Sequence, residues 1–394
     1  MQRRPCWVEI STRALEDNYR LLAGIAPVEL LAIVKADAYG HGLSLCAPAA
    51  VRAGARWLGV TSVEEGVAAR RLCLDAEILV ISGPFSGQGA DVIANRLTCV
   101  VWEPWQLDEL EAAAHAAERA PGTVPVHLEF DTGMSRQGVA EADLSTILTS
   151  FHAASPLRLD GLMTHLYAAD ESDGEATHAQ FAQLERMTAE VFATGHKPTH
   201  KPTWMHVGNS AAVLAANVLQ ALQALCSQWN LKPMARPGLA LYGLAPEFSP
   251  TEPKAVRELH ARLQPVLAWK TQIVSTRSIP ADQAVGYNGT FIATEPMRIA
   301  LLAVGYADGL KRALSNRGFV LIGGQRAPII GRISMDQTVV DITEIPNAAA
   351  GDEVVLLGTQ EGEMISAEDH ARWANTISWE IFTSIAARVE RIGV

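Results

Sequence analysis

Short uninterrupted apolar runs alternate with longer amphipathic stretches between Leu30 and Tyr242. The runs are Leu30 to Val34, Trp57 to Val60, Ile78 to Ile81, Thr98 to Val101, Val124 to Phe130, Leu159 to Thr164, Trp204 to Val207 and one around Met234 to Tyr242. A run with no polar alternation reads as a strand buried on both faces, as in a parallel sheet. Helical stretches separate the runs: Val63 to Leu72, Pro104 to Glu118, Ala142 to His152, Thr177 to Thr194 and Ala211 to Cys226. An earlier helix follows Ser11, a side chain suited to cap it; Leu15, Tyr19 and Leu22 fall on one face before Gly24 and Pro27. About eight strand–helix units in succession predict a (β/α)8 barrel of the TIM type. No GxGxxG follows the first run, which disfavours an open dinucleotide-binding sheet.

Beyond Tyr242 the texture changes. Pro246, Pro250 and Pro253 mark a linker, and strand-like segments then dominate: Val266 to Arg277, Arg298 to Val304, Phe319 to Ile322, Ile329 to Ser334, Thr338 to Ile342, Glu353 to Leu357 and Ile385 to Ile392. A single helix, Ala367 to Ala374, is capped by Ser366. The expected organisation is α/β plus β: residues 1–10 associated with the β domain, a barrel over 11–245 and a mainly-β domain over 246–394. The doublet from His196 to Thr203 is a short internal duplication; its prolines favour a solvated loop over a metal site.

Charge and cysteine usage narrow the classes of function. A net charge of -11 disfavours nucleic-acid and anionic-membrane partners and leaves a small metabolite as the expected one. Five scattered cysteines without a CxxC pair indicate neither a disulfide framework nor a zinc site. No apolar leader precedes Thr12, and no later segment reaches uncharged transmembrane length, so a cytoplasmic protein is expected.

Barrel enzymes act where their strands end. The residues at those ends form one polar set: Lys35 and Tyr39 after the first run, Glu129, Asp131 and Arg136 after the fifth, His165 after the sixth, Asn209 and Ser210 after the seventh, Arg236 and Gly238 at the eighth. Lys35 leaves a buried strand beside low-dielectric surroundings, which favour the neutral amine and make it a candidate Schiff-base nucleophile. The loops after the seventh and eighth strands offer the Ser210 hydroxyl and the amides near Gly238 and Leu239 to a phosphate. A phosphate opposite a lysine suggests pyridoxal 5'-phosphate.

The ordered motifs VKADAYGHG, DTGMSRQGV, THLYAADE, HVGNSAAVL, ARPGLALYGL, VGYNGTF, VGYADGLKR and GRISMDQ closely resemble those of the alanine racemases, fold-type III pyridoxal-phosphate enzymes, from about Glu9 to the C-terminus. The resemblance implies that Lys35 carries the cofactor and that Tyr39, Ser210, Gly238 and Leu239 hold its phosphate, with Asn209 beside them. It sets Arg236 against the pyridine nitrogen, with His165 on that arginine and Arg136 near the cofactor's phenolic oxygen and the substrate carboxylate. Tyr287 would be the second base, since racemisation needs proton transfer on both faces of a planar carbanion. Subunits of this family pack head to tail, so Tyr287, Met335 and Asp336 of one chain would complete the other's site, Tyr306 would narrow its entrance, and a homodimer follows. The implied reaction is interconversion of L- and D-alanine, supplying D-alanine for peptidoglycan.

Two positions depart from the family's pattern. Where many relatives carry a carbamylated lysine this chain has Glu129, expected to supply the negative charge that orients the Arg136 region. Where the family usually has a tyrosine lining the cofactor pocket, this chain has Trp379, whose indole has only a donor N–H. Both bear on substrate range, so a broad-specificity amino-acid or serine racemase is the alternative. A non-catalytic pyridoxal-phosphate carrier of the same barrel fits less well, because such proteins lack the β domain and Tyr287. A decarboxylase of this fold would need a cysteine from the β domain, and all five cysteines precede it.

Overall fold

In the computed structural model a first strand, β1 (Cys6–Ile10), and the helix Thr12–Ile25 lead into eight parallel strands that close on themselves. These are β2 (Glu29–Ile33), β3 (Trp57–Val60), β4 (Glu77–Val80), β5 (Thr98–Val101), β6 (Val124–Glu129), β7 (Leu157–Met163), β8 (Trp204–His206) and β9 (Lys232–Ala235). The structure describes residues 4–171, 174–193, 198–215, 217–244, 246, 248 and 254–394. His196, Lys197, Pro250, Pro253 and the expected helix end at Thr194 lie outside the described residues. The chain divides into two units: Ala14–Ala38 with Cys46–Gln264, and Met1–Arg13 with Tyr39–Leu45 and Pro265–Val394.

The barrel unit closes where β2 meets β9, Glu29 opposite Met234 and Leu30 opposite Ala235. Its strands are buried along nearly their whole length, which is why the sequence shows them as unbroken apolar runs. The helix Thr12–Ile25 turns Leu15 and Leu22 inward, both fully buried, at about 1.5–3 kcal/mol each. The helix Val63–Leu72 has the expected limits and is capped by Ser62 Oγ, which accepts from the Glu65 N–H at 3.2 Å. The last strand stops at Ala235 rather than running on to Tyr242. Pro237 has no N–H for a ladder, and Leu239–Tyr242 form a 3₁₀ turn instead.

The second unit is built on a nine-stranded sheet. Its strands are β1, β10 (Leu267–Ile279), β13 (Met297–Leu302), β14 (Phe319–Ile322), β15 (Gln325–Pro328), β16 (Thr338–Asp341), β17 (Glu353–Gln360), β18 (Glu363–Ile365) and β19 (Glu390–Gly393). A separate short pair, β11 (Ala284–Val285) and β12 (Phe291–Ile292), carries the turn with Tyr287. The N-terminal β1 lies between β10, antiparallel, and β19, parallel. The long β10 changes register between Ile273 and Ser275, pairing with β17 before that point and mainly with β13 after it. Its Trp269 is buried and donates from Nε1 to the Cys6 sulfur at 3.4 Å. The segment Ile329–Ser334 is not a strand: Gly331 adopts φ 70, and the hairpin pairing falls on Gln325–Pro328. Ser366 caps Ala367–Ala374 as expected, accepting from the Asp369 N–H at 3.1 Å. All five cysteines are buried and unbridged. Among the described residues no helix is long and apolar enough to cross a membrane.

Candidate active site

Arg236 follows β9 and is almost wholly buried. Its Nη1 donates to the His206 carbonyl at 2.8 Å and to His206 Nδ1 at 3.2 Å. Its Nη2 donates to the Thr164 carbonyl at 2.8 Å and to His165 Nδ1 at 3.1 Å. A guanidinium only donates, so both Nδ1 atoms are acceptors and both rings are neutral. Burial, then the Arg236 charge, then Arg136 and Lys35, push the His165 pKa down to about 3. Burial, then His127 and Arg236, hold His206 well below the usual histidine range. Arg236 itself is lowered to about 10, mainly by burial and against the pull of Glu129. Four of its five N–H groups are thus committed to protein acceptors, and among the described residues Nε–H has none.

Lys35 is half-buried directly after β2 and Val34. Burial lowers its pKa, Arg136 and Arg236 lower it further, and Glu65 opposes them. More of the amine is therefore neutral than at an exposed lysine, as a nucleophile or base requires. The backbone after it turns left-handed for four residues without glycine, Ala36 (φ 53), Asp37 (φ 52), Ala38 (φ 55) and Tyr39 (φ 53). Each such residue costs roughly 1–2 kcal/mol, so the turn persists only where its surroundings impose it. Glu65 is one such restraint, since its carboxylate accepts from the Asp37 N–H at 3.2 Å and the Thr61 N–H at 3.0 Å. Burial pushes the Tyr39 hydroxyl up to about 12.

At the ends of β8 and β9 the Ser210 hydroxyl oxygen accepts from the Gly238 N–H at 3.0 Å and the Ala240 N–H at 3.1 Å. With both acceptor positions filled, its O–H is left to donate. The Leu239 N–H between them has no acceptor among the described residues. Asn209 spends its Oδ1 on the Ala211 and Ala212 amides, at 3.0 and 3.3 Å. These residues fit an anion held by the Ser210 O–H and the Leu239 N–H, with the Gly238 and Ala240 amides setting the serine's orientation and Asn209 capping the helix it begins.

Glu129 is buried, but its hydrogen-bond partner is Gln137 Nε2 rather than an arginine. Burial raises its pKa; Gln137, Arg236 and Arg136 act against that, and Asp131 adds to it. Arg136 is exposed, with no carboxylate at ion-pair distance among the described residues. Asp131 instead shapes its own loop, accepting from the Gly133 and Ser135 amides at 2.9 and 3.0 Å. The expected Glu129–Arg136 contact is therefore not formed in this chain.

The second unit carries its expected residues on accessible loops and 3₁₀ turns, apart from Trp379, which lies on the helix Ser378–Thr383. Gly305 lets two of these loops meet: a Cβ there would come within 2.3 Å of the Ser334 carbonyl oxygen. The Tyr306 N–H then donates to the Ser334 carbonyl at 3.0 Å and the Ala307 N–H to the Met335 carbonyl at 2.9 Å. Asp336 is held by Arg388 at 2.7 Å, and Arg388 and Arg4 also hold the buried Asp308. Tyr287 is 68 % exposed, Met335 54 %, Tyr306 42 % and Trp379 39 %. Large apolar side chains so exposed are what a surface covered by another molecule presents.

Sequence reasoning missed His206, His127, Gln137 and Glu65. A period-2 signal for one of them was available, since His127 and Glu129 share a face of β6 and polar residues there are costly to bury. His206 and Glu65 depend on contacts between distant segments, and Gln137 on the loop that brings it back to Glu129.

Lys35, Ser210, the Leu239 amide and Arg236 all stand at or just after the carboxyl ends of one barrel's strands, where barrel enzymes act. The class so defined is that of barrel enzymes with a phosphate-bearing cofactor. Residues 10–246 match the family profile "Alanine racemase, N-terminal domain" and residues 266–393 "Alanine racemase, C-terminal domain". The chain is 37% identical over 402 residues to the alanine racemase of Sorangium cellulosum, covering 98% of each. The structure resembles that of alanine racemase from the D-cycloserine-producing Streptomyces lavendulae, with a TM-score of 0.87 and 33% identity over 100% of this chain and 98% of that one. It also resembles the Bartonella henselae enzyme, which carries covalently bound pyridoxal phosphate, with a TM-score of 0.81 and 28% identity over 99% of both chains. The chain belongs to the alanine racemase family of pyridoxal-phosphate-dependent isomerases.

Proposed function

We propose that this chain interconverts L- and D-alanine with pyridoxal 5'-phosphate on Lys35, as a homodimer in the cytoplasm, supplying D-alanine for peptidoglycan. Arg236 carries the reading: four of its donors are locked into the protein and one N–H is left for a ring nitrogen. When bound, the cofactor supplies an electron sink that acidifies the α-hydrogen of an amino acid. An arginine cannot surrender its proton, so Arg236 leaves the ring nitrogen unprotonated and the sink weak, which limits transamination and decarboxylation. The Ser210 O–H and Leu239 N–H bind the phosphate, joined by Tyr39. The Gly238 and Ala240 amides orient that serine, and Asn209 caps the helix it begins.

Lys35 moves the α-proton on one face of the substrate. Tyr287 from a second copy moves it on the other, because one lysine reaches only one face. His165, whose Nδ1 accepts from Arg236, carries its proton on Nε2 and so holds the guanidinium in place. Arg136, exposed and with no ion-pair partner among the described residues, binds the substrate carboxylate with Met335 of the second copy. Asp336 and Tyr306 shape the entrance, and Trp379 walls the cofactor pocket in place of tyrosine. A broad-specificity amino-acid or serine racemase is the second reading, favoured by the Gln137-bound Glu129 and by Trp379. A chiral assay of the purified protein with its cofactor, across alanine, serine, lysine and arginine, tests both. Fastest racemisation of alanine supports the first reading, comparable rates on the basic amino acids the second, and racemisation of none of the four refutes both.

A further inference from the structure

The Arg236 contacts do not end at His206. His206 Nε2 lies 2.8 Å from Nδ1 of His127, on β6, and the two rings meet edge to face with centroids 4.8 Å apart. Both imidazoles are fully buried. We infer that His127 is a positioning residue for Arg236, acting through His206 by fixing the tautomer that lets His206 accept from the guanidinium. The inference deepens the racemase reading and rests on it for its functional consequence.

The direction of the chain follows from the arginine, which only donates. His206 Nδ1 must accept, so neutral His206 carries its single proton on Nε2. That proton points at His127 Nδ1, which must accept in turn, so neutral His127 carries its own proton on Nε2. Burial lowers the His127 pKa to about 4, consistent with a neutral ring. Its Nε2 is buried with no hydrogen-bond partner among the described residues. An unsatisfied buried donor costs about 1–3 kcal/mol. A phenyl ring would fill the same space without that cost, so what the imidazole adds here is the Nδ1 lone pair.

The surroundings fix the ring's place. Trp57 packs against it with centroids 5.7 Å apart, and a Cβ at Gly161 would fall 2.6 Å from His127 Cγ, so glycine makes the room. Without an acceptor at His127, His206 would no longer be bound to the Nε2–H form. Its Nδ1–H tautomer would turn a hydrogen toward a cation and release Arg236 Nη1 from one of its two acceptors. The remaining Nε–H would then lose its fixed direction toward the cofactor's ring nitrogen.

Histidine tautomers can be read by long-range proton–nitrogen correlation on the ¹⁵N-histidine-labelled holoenzyme. Both His206 and His127 are expected as Nε2–H forms, and an Nδ1–H form of His206 overturns the inference regardless of whether the protein racemises anything. Two variants test the consequence. His127→Leu removes the acceptor, whereas His127→Asn puts an amide oxygen in the place of Nδ1. The pyridoxamine phosphate formed per racemisation turnover should rise several-fold in His127→Leu and return to near the wild-type value in His127→Asn. Equal ratios in the two folded variants overturn the positioning role. If His127→Leu does not fold, the tautomer of His206 in His127→Asn decides: retention of Nε2–H supports the role and its loss contradicts it. Failure of the wild-type enzyme to racemise alanine would refute the function without touching the tautomer result.

Discussion

Arg236 Nη2 and His165 Nδ1 are joined by a 3.1 Å hydrogen bond in which a permanent cation faces a ring that its surroundings keep neutral. The pair is asymmetric, because the arginine can only give and the unprotonated Nδ1 of His165 can only take. Replacing Arg236 with lysine cannot reproduce it. Lysine has three donors for four acceptors now in use, and each buried acceptor left unsatisfied costs about 1–3 kcal/mol. Arg236→Lys should therefore lower the unfolding free energy by at least about that amount in denaturant titration. An unchanged midpoint would mean that the network does not hold the arginine.

Lys35 should be the site of covalent cofactor attachment. Borohydride treatment of the cofactor-loaded protein followed by peptide mapping should find the phosphopyridoxyl group on the peptide containing Lys35 and on no other. A label on a different lysine would contradict the assignment. The neutral form that attack requires is favoured by burial, Arg136 and Arg236 together.

Glu129 makes a prediction about pH and stability. Burial raises its folded-state pKa above the unfolded value of about 4.3, so its favourable contribution is present below that value and is lost as pH rises through the folded one. Glutamine at this position does not titrate. The thermal midpoint of Glu129→Gln relative to the parent should therefore move in the variant's favour from about pH 4 to about pH 8. The opposite trend would reveal a paired, fixed anion, which is the role the sequence suggested.

Most of the barrel was legible because its strands are buried on both faces and read as continuous apolar runs. Lys35 and Arg236 were legible from their positions at strand ends, where barrel chemistry gathers. The left-handed turn at Ala36–Tyr39 was not, since alanine, aspartate and tyrosine carry no signal for φ near 53 and the conformation is imposed in part by Glu65 from another helix. Nor was the partner of Glu129. A sequence gives no sign that Gln137, after a loop, will meet the carboxylate before Arg136 does. The hairpin at Gln325–Pro328 was missed for a further reason: its inward residues are few, and the more apolar Ile329–Ser334 beside it is bent by Gly331. The His127–His206 contact joins strands β6 and β8, and no local pattern encodes it.

A site shared between two copies should show complementation. Lys35→Ala and Tyr287→Phe homodimers are each expected to lose nearly all racemisation. Unfolding and reassembling a mixture should restore activity, because each mixed dimer then has one site with both bases. No recovery in verified mixed dimers would place both bases within one chain.

Proton transfer by Lys35 and Tyr287 from opposite faces is tested most directly by exchange of the alanine α-hydrogen in deuterium oxide. Tyr287→Phe, loaded with cofactor and offered each enantiomer separately, should exchange the α-hydrogen of one enantiomer only and racemise neither, since Lys35 still serves its own face. Exchange of both enantiomers with racemisation retained at the wild-type rate would contradict it.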